Sequence, residues 1–369
     1  MGPKRNRRIG GCIVEYRRLG GLDREVSVIG LGTEYLDRRP RNTVISVVHE
    51  AIERGVNYID ILFTYSDYLD NLGAALKGQR DKVIITGHLG SAEKNGNYRK
   101  TRDLKECEDL FLDMLARLRT DFVDIVFLQF VARGTDYQRV MGSQGLLELA
   151  LCLQQEGKAG MIGLSGHDIS VALRVVRDGR IDILMFPINL TANSLLREKD
   201  LLNTCLTNRM GLVAMKPFAG GRLLQSSGSR PIRPVQCISY ALSQTGVSTV
   251  IPGVQSVHEL EAALHYLDAT EEEKDFSSTL ADVQQYSKGE CVYCNHCLPC
   301  PVIINIGETI RMVDTARRGI LLELQTKYDT LLAKASACTE CGACSERCPF
   351  EVDVISKIKR AIELFETKK

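Results

Sequence analysis

Residues 57–87 read NYIDILFTYSDYLDNLGAALKGQRDKVIITG, and this stretch decides the fold. Two short apolar runs, NYIDIL (57–62) and KVIITG (82–87), flank a segment from Tyr68 to Lys77 in which apolar residues recur at spacings of three and four. The runs predict buried strands, and the recurrence predicts an amphipathic helix. The stretch is therefore one strand–helix–strand unit of a parallel sheet.

The same unit repeats from about residue 25 to about residue 265. Eight strand candidates share a short, nearly unbroken apolar sequence: EVSVIGLG (25–32), NYIDIL (57–62), KVIITG (82–87), FVDIVFLQ (122–129), AGMIGLS (159–165), IDILMFPI (181–188), MGLVAMKP (210–217) and STVIPG (248–253). Helical patterns alternate with them at 44–54, 68–77, 104–117, 146–156, 171–177, 235–243 and 257–267. This count predicts an α/β fold of the (β/α)8 or TIM barrel type. A doubly wound open sheet is the alternative, but GLGTEYL (30–36) is not its usual GxGxxG turn.

Polar residues follow these strands at their carboxyl ends, where such a barrel builds its active site. In chain order they are Thr33, Glu34, Tyr35, Asp60, Tyr65, His88, Gln129, Ser165, His167, Asn189, Lys216 and Gly253. A single residue of this kind is more often a cap or a satisfied core group. Their shared position is what indicates a site.

The overall charge is nearly balanced, with 47 Lys and Arg against 46 Asp and Glu. Such a chain has no strong single-sign field to attract nucleic acid or an anionic membrane. No apolar run reaches the roughly 18–20 residues that cross a bilayer, and no apolar stretch follows the basic start MGPKRNRRIGGC. The composition predicts a cytoplasmic protein without nucleic-acid or membrane partners.

Eight of the thirteen cysteines fall between Cys291 and Cys348, in two runs. The second run, CTECGACSERCP (338–349), has the C-x2-C-x2-C-x3-C-P spacing of bacterial ferredoxins, in which three thiolates hold one [4Fe-4S] cluster and the fourth reaches the other. The first run, CVYCNHCLPCP (291–301), is one residue shorter before its last cysteine. Four-cysteine zinc sites are the alternative, although these normally use two separated C-x2-C pairs. Disulfides fit this spacing less well still.

In the ferredoxin arrangement the two runs exchange their last cysteines. Cluster 1 is then held by Cys291, Cys294, Cys297 and Cys348, and cluster 2 by Cys338, Cys341, Cys344 and Cys300. The exchange predicts a small α-helical iron–sulfur domain over residues 276–369, with helical patterns at 309–334 and 354–365, after a barrel over residues 13–275. The scattered cysteines are predicted to be buried, inert thiols; they are Cys12, Cys107, Cys152, Cys205 and Cys237.

The order of these motifs resembles the aldo/keto reductase family, in the branch with a C-terminal 2[4Fe-4S] ferredoxin-like domain. The resemblance rests on YRRLGGLDREVSVIGLGTEYL (16–36), GVNYIDILFTYSDYLDNLGAALKGQRDKVIITGH (55–88), EGKAGMIGLSGH (156–167), GLVAMKPFAGGRLL (211–224) and STVIPGVQSVHELEAAL (248–264), together with the cysteine runs. It implies an oxidoreductase with a small-molecule substrate. In that family a nicotinamide passes hydride to a carbonyl, and a Tyr flanked by Lys, His and Asp is the general acid.

Two of these four catalytic positions match and two do not. Asp60 and Tyr65 match the family's Asp and Tyr, whereas the Lys position falls on His88 and the His position on Gln129. A tyrosine with a pKa near 10 needs a neighbouring cation to donate its proton readily at neutral pH, and His88 supplies one if Asp60 keeps it protonated. The departures leave two reactions open: reduction of a carbonyl and reduction of an activated carbon–carbon double bond.

The electron source also stays open. The cofactor-binding candidates are Ser165, Asn189, Lys216, Gly220, Gly221, Arg222 and Gly253. The turn GVQSVHELE (253–261) has none of the Lys or Arg residues with which NADP-binding members hold the 2′-phosphate. Because a nicotinamide moves two electrons as hydride and a cluster passes one at a time, NADP(H), a flavin, and direct delivery from the clusters are three alternatives.

Redox partners such as a ferredoxin or flavodoxin, and a source organism living with little oxygen, are expected with such clusters. Three further interpretations stay open. The chain is an electron-transfer or partner-docking iron–sulfur protein with a catalytically altered barrel, it is a redox sensor, or its clusters are structural.

Overall fold

A computed structural model describes residues 5–9, 12–94, 97–131, 134–191, 195–225, 231–277, 289, 291, 293, 297–316, 321–348 and 351–367. It contains two compact units. Unit 1 comprises Met1–Ala92 and Thr101–Gln285, and unit 2 comprises Glu93–Lys100 and Tyr286–Lys369. The predicted domain boundary at 275/276 stays a prediction.

The described strands, in chain order, are β1 Arg5–Ile9, β2 Cys12–Arg17, β3 Val26–Ser27, β4 Leu31–Gly32, β5 Tyr58–Asp60, β6 Ile84–Leu89, β7 Ser91–Lys94, β8 Asn97–Lys100, β9 Val123–Leu128, β10 Ala159–Ser165, β11 Ile183–Pro187, β12 Gly211–Met215 and β13 Val247–Ile251. The described α-helices are α1 Arg41–Glu53, α2 Ser66–Ala75, α3 Leu104–Leu118, α4 Gly134–Met141, α5 Leu146–Gln155, α6 Ile169–Asp178, α7 Leu195–Thr207, α8 Pro234–Ser243, α9 Val257–Leu264, α10 Glu271–Lys274, α11 Ile306–Ala316, α12 Leu321–Asp329, α13 Ala343–Arg347 and α14 Val354–Ala361.

Eight parallel strands of unit 1 form a closed barrel. They are ordered β4-β5-β6-β9-β10-β11-β12-β13, and each pairs in parallel with its neighbours. Bridges from Ile29 to Val250 and from Gly32 to Gly253 join the two ends of the sheet, and the Gly30 N–H donates to the Val250 carbonyl at 2.8 Å. The predicted (β/α)8 barrel is confirmed, and the alternative of an open doubly wound sheet is wrong.

The strands are apolar because they are buried on both faces. All six residues of β6 are buried, and so are all five of β12. Alternate residues of the strands form one buried cluster, as expected of side chains that fill a barrel interior. This cluster includes Tyr58, Ile84, Ile125, Phe127, Ile183, Met185, Val213, Met215 and Ile251.

Two hairpins lie outside the predicted pattern. The predicted first strand (25–32) is divided, because Val26–Ser27 pairs antiparallel with β2 while Leu31–Gly32 enters the barrel. β1 and β2 form an N-terminal hairpin with Arg5 opposite Tyr16. β7 and β8 form a second one directly after β6, and its residues Glu93–Lys100 belong to unit 2.

Unit 2 packs helices α11, α12 and α14 around a core of its own. Tyr328 and Phe365 stack at its centre with ring centroids 4.7 Å apart. α11 begins three residues before the segment predicted to be helical (309–334), and α12 lies within that segment. α14 starts the predicted terminal helix, which continues as a π-type turn at Ile362–Glu366. Among the described helices of the chain, none is long and apolar enough to span a membrane.

Candidate active site and iron–sulfur ligands

The carboxyl ends of β5 and β6 bring Asp60, Thr86 and His88 together. Asp60 Oδ1 lies 2.9 Å from His88 Nε2 and accepts a hydrogen bond from Thr86 Oγ1 at 2.7 Å. The His88 side chain is fully buried and the Asp60 side chain is 9% exposed. The imidazole also stacks on Phe127, with centroids 5.3 Å apart. Because water barely reaches either group, their interaction is little screened.

His88 uses only one of its ring nitrogens in the fold. Nε2 faces Asp60, so this nitrogen carries the donated proton when the ring is neutral. Nδ1 is buried and has no hydrogen-bond partner among the described residues. It is the one ring nitrogen whose hydrogen-bonding capacity the described residues leave unused.

Two tyrosines follow Asp60, and their environments differ. Tyr68 is 2% exposed; its hydroxyl pairs with Thr33 Oγ1 and accepts the Leu62 N–H at 3.3 Å. Burial raises the pKa of Tyr68. Tyr65, which directly precedes α2, is only half-buried and packs against Phe63 at 4.9 Å. Tyr68 is thus tied into the fold, and Tyr65 is the more exposed of the two tyrosines.

Gln129 follows β9 and is 9% exposed. Its N–H donates to the Leu89 carbonyl at 2.9 Å, and the Arg102 guanidinium donates to the carbonyls of Gln129 at 3.2 Å and Phe130 at 2.9 Å. Burial lowers the pKa of Arg102. Arg102 therefore positions the turn that carries Gln129. No sequence pattern indicates this role, because one arginine in a polar segment gives no signal.

The predicted cofactor-binding residues partly satisfy one another. Asn189 Nδ2 donates to the Lys216 carbonyl at 3.0 Å, and Asn189 Oδ1 accepts two hydrogen bonds from Thr191. Lys216 Nζ lies 4.0 Å from Glu34 Oε2. Ser165 is buried at the end of β10. The Lys216 ammonium group therefore lies beside a carboxylate, and both the nitrogen and the oxygen of the Asn189 amide already form hydrogen bonds within the protein.

The remaining candidates lie in turns. Gly220 and Gly221 have φ angles of 70° and 89°, which a side chain rarely adopts, and Arg222 follows them half-buried. A Cβ on Gly253 would lie 2.6 Å from the Tyr35 ring. His167 is half-buried after β10. Tyr35 therefore packs closely against the turn after the last barrel strand.

The two cysteine runs of unit 2 meet around one cavity. Cys300 of the first run lines it with Cys338, Cys341 and Cys344 of the second. The other lining side chains are largely apolar and include Ile304, Ile306, Ile355 and Ile358. In the part of the chain that the structure describes, no three His, Cys, Asp or Glu side chains converge on a site for a single metal ion.

Both runs form the same turn at their first cysteine. The Tyr293 N–H donates to Cys291 Sγ at 3.3 Å, and the Glu340 N–H donates to Cys338 Sγ at 3.4 Å. Tyr293 and Glu340 both adopt left-handed φ angles, 54° and 51°. In both runs the sulfur of the first cysteine therefore accepts a hydrogen bond from the backbone two residues later.

The predicted ligands of cluster 1 are only partly described. Cys291 and Cys297 are buried, and Cys348 is half-buried. Cys294 lies outside the described residues.

Comparisons with known proteins match two different families along the chain. Residues 28–236 match the aldo/keto reductase family model, and residues 288–352 match a 4Fe-4S dicluster domain. L-galactose dehydrogenase of Arabidopsis thaliana is 24% identical over 309 residues, which cover 73% of this chain and 93% of that protein. The uncharacterized oxidoreductase YqkF of Bacillus subtilis is 26% identical over 234 residues, covering 62% and 71%.

Among solved structures, the holo form of aldo-keto reductase AKR11C1 from Bacillus halodurans is similar to this chain, with a TM-score of 0.62 and 22% identity. The match covers 73% of this chain and 96% of that one. The putative aldo-keto reductase PA4992 from Pseudomonas aeruginosa gives a TM-score of 0.58 at 24% identity, covering 68% and 93%.

Proposed function

The chain belongs to the aldo/keto reductase family and is an oxidoreductase with a 4Fe-4S dicluster domain, and from this premise we propose what it reduces and how. The barrel mouth reduces a carbonyl or an activated carbon–carbon double bond of a small molecule. Two [4Fe-4S] clusters are its resident cofactors, and a ferredoxin or flavodoxin is its redox partner. The enzyme acts in the cytoplasm of an organism living with little oxygen.

The buried Asp60–His88 pair is the observation that carries the proposal. A buried ring nitrogen without a hydrogen-bond partner costs free energy, and buried titratable pairs of this kind are concentrated at functional sites. The free Nδ1 of His88 supports a role toward a bound substrate or the Tyr65 hydroxyl. In this role His88 takes the place of the lysine that other family members carry at this position.

Tyr65 is the proposed proton donor. Reduction of a carbonyl takes two electrons and two protons: the oxygen gains a proton and becomes the hydroxyl, and the carbon gains a hydride or its equivalent. Tyr65 places the proton on the oxygen, and a His88 ring that carries a proton on Nδ1 as well as on Nε2 stabilises the phenolate that is left, while Asp60 balances the charge of that ring. Gln129 carries a neutral amide, which donates a hydrogen bond to that oxygen but cannot transfer a proton.

The thiols of unit 2 fit iron–sulfur clusters. Cys300, Cys338, Cys341 and Cys344 surround an apolar cavity, and backbone N–H groups donate to Cys291 and Cys338. Bound clusters supply single electrons. The proposed ligands are Cys291, Cys294, Cys297 and Cys348 for cluster 1, and Cys338, Cys341, Cys344 and Cys300 for cluster 2.

The nucleotide candidates fit a phosphate group poorly. Lys216 lies beside Glu34, and residues 253–261 include no Lys or Arg. We therefore assign no step to a nicotinamide. The electron donor is settled by supplying NADPH, reduced flavin and a dithionite-reduced ferredoxin side by side.

The test compares Tyr65→Phe and Asp60→Asn with the unchanged protein on a panel of aldehydes, ketones and enones. Tyr65→Phe is expected to lower kcat/KM about 10²- to 10⁴-fold, the usual contribution of a positioned acid. Tyr266→Phe is the matched control, because Tyr266 follows α9, at the opposite end of the barrel from the carboxyl ends of the strands. Full turnover in both Tyr65→Phe and Asp60→Asn would show that the proposed mechanism is wrong.

A further inference from the structure

The second cysteine run carries an arginine that the proposed chemistry does not use. Arg347 ends α13 directly before Cys348, and it lines the cavity formed by Cys300, Cys338, Cys341 and Cys344. It is partly buried. Its guanidinium is a permanent positive charge at the wall of this cavity.

Arg347 holds the first run in place. Its Nη2 donates to the carbonyls of Cys297 and Pro299, both at 2.7 Å. Pro299 directly precedes Cys300, so these two bonds fix the segment that delivers Cys300 to the cavity. Fifty residues separate Arg347 from Cys297 in the chain, and the contact ties the two runs together.

A further donor of the Arg347 guanidinium is its Nε–H. It is buried and has no hydrogen-bond partner in the described part of the chain. Buried donors are nearly always satisfied, and the cavity that Arg347 lines is walled by thiols. Four cysteines line this cavity together with Thr339 and Glu340, so the cysteine sulfurs are among the acceptors within the cavity.

We propose that Arg347 positions Cys300 and tunes the cluster held by Cys300, Cys338, Cys341 and Cys344, donating a hydrogen bond and a positive charge to it. This inference rests on the ligand set of the proposed function. A cluster gains one negative charge on reduction, so a nearby cation and donor stabilise the reduced state more than the oxidised state. Arg347 therefore raises the reduction potential of this cluster.

The experiment is a dithionite titration of the anaerobically purified full chain, followed by electron paramagnetic resonance, with iron content measured on the same samples. Arg347→Gln is expected to lower the equilibrium constant for reduction of one cluster about tenfold, which lowers its reduction potential by about 59 mV for one electron. The potential of the other cluster and the iron content are expected to stay unchanged. Arg347→Lys keeps the charge and is expected to lie between this variant and the unchanged protein. Arg360→Gln on α14 removes the same charge from an exposed, ion-paired site and is expected to change neither potential.

The inference is wrong if Arg347→Gln keeps its iron and has the potentials of Arg360→Gln. If Arg347→Gln loses iron, Arg347→Lys decides, because a lowered potential supports the inference and an unchanged potential overturns it. An unchanged protein without any iron–sulfur signal would instead contradict the ligand set, and with it the proposed function.

Discussion

A double-mutant cycle on Asp60 and His88 measures how strongly the proposed catalytic pair is coupled. The changes are Asp60→Asn, which keeps the shape of the side chain, His88→Gln, which keeps a polar side chain, and both together. The two groups are 2.9 Å apart, and their side chains are 9% and 0% exposed. A hydrogen bond to a charged group in such a site contributes about 1.5–3 kcal/mol, and we expect a coupling energy in this range.

The assay is urea unfolding of the full chain, with circular dichroism reporting the barrel and visible absorbance reporting the iron–sulfur unit. The control cycle uses Lys105 and Asp109 on α3, whose charged atoms lie 2.7 Å apart while their side chains are 73% and 59% exposed. Exposed helix pairs of this spacing contribute about 0.3–0.5 kcal/mol. A coupling energy for Asp60 and His88 no larger than the control value would refute the argument that burial makes this pair an electrostatic unit.

Two further predictions concern the barrel. A hydrogen bond from Arg180 lowers the pKa of Asp178 to about 2, so the bond stabilises the fold above pH about 4 and this stability is lost as the pH falls toward 2. At neutral pH the free energy of unfolding of Asp178→Asn is expected to be about 1–2 kcal/mol lower than that of the unchanged protein. This difference is expected to shrink as the pH falls toward 2. A difference that does not depend on pH would contradict the prediction. Burial raises the pKa of Cys237 to about 12. Cys152 is exposed, so the prediction that it is a buried thiol is wrong, because it lies on the outer face of α5. Brief iodoacetamide treatment of the folded chain is expected to label Cys152 and spare Cys237 by mass spectrometry, and equal labelling would show that burial does not protect the thiol.

Much of the barrel is predictable because its strands are buried on both faces and so form short apolar runs. KVIITG (82–87) is such a run, and the structure places β6 at Ile84–Leu89. The approach of Asp60 to His88 also follows from the sequence, since both residues lie at the carboxyl ends of adjacent parallel strands.

Other features depend on contacts that local patterns do not encode. SAEKNGNYRK (91–100) has no apolar run to predict the strands β7 and β8, and its one local signal is Asn-Gly, a common hairpin turn sequence. The contacts of Arg102 with the Gln129 turn and of Arg347 with Cys297 join residues 27 and 50 positions apart. Spacing rules do not anticipate such long-range side-chain to backbone bonds.

The most direct test of the account is iron, acid-labile sulfide and zinc analysis of the anaerobically purified chain. Two [4Fe-4S] clusters predict about eight irons and about eight sulfides per chain, with a visible absorption that dithionite bleaches. Zinc in place of iron, with no sulfide, would contradict the assignment of this protein as an iron–sulfur oxidoreductase.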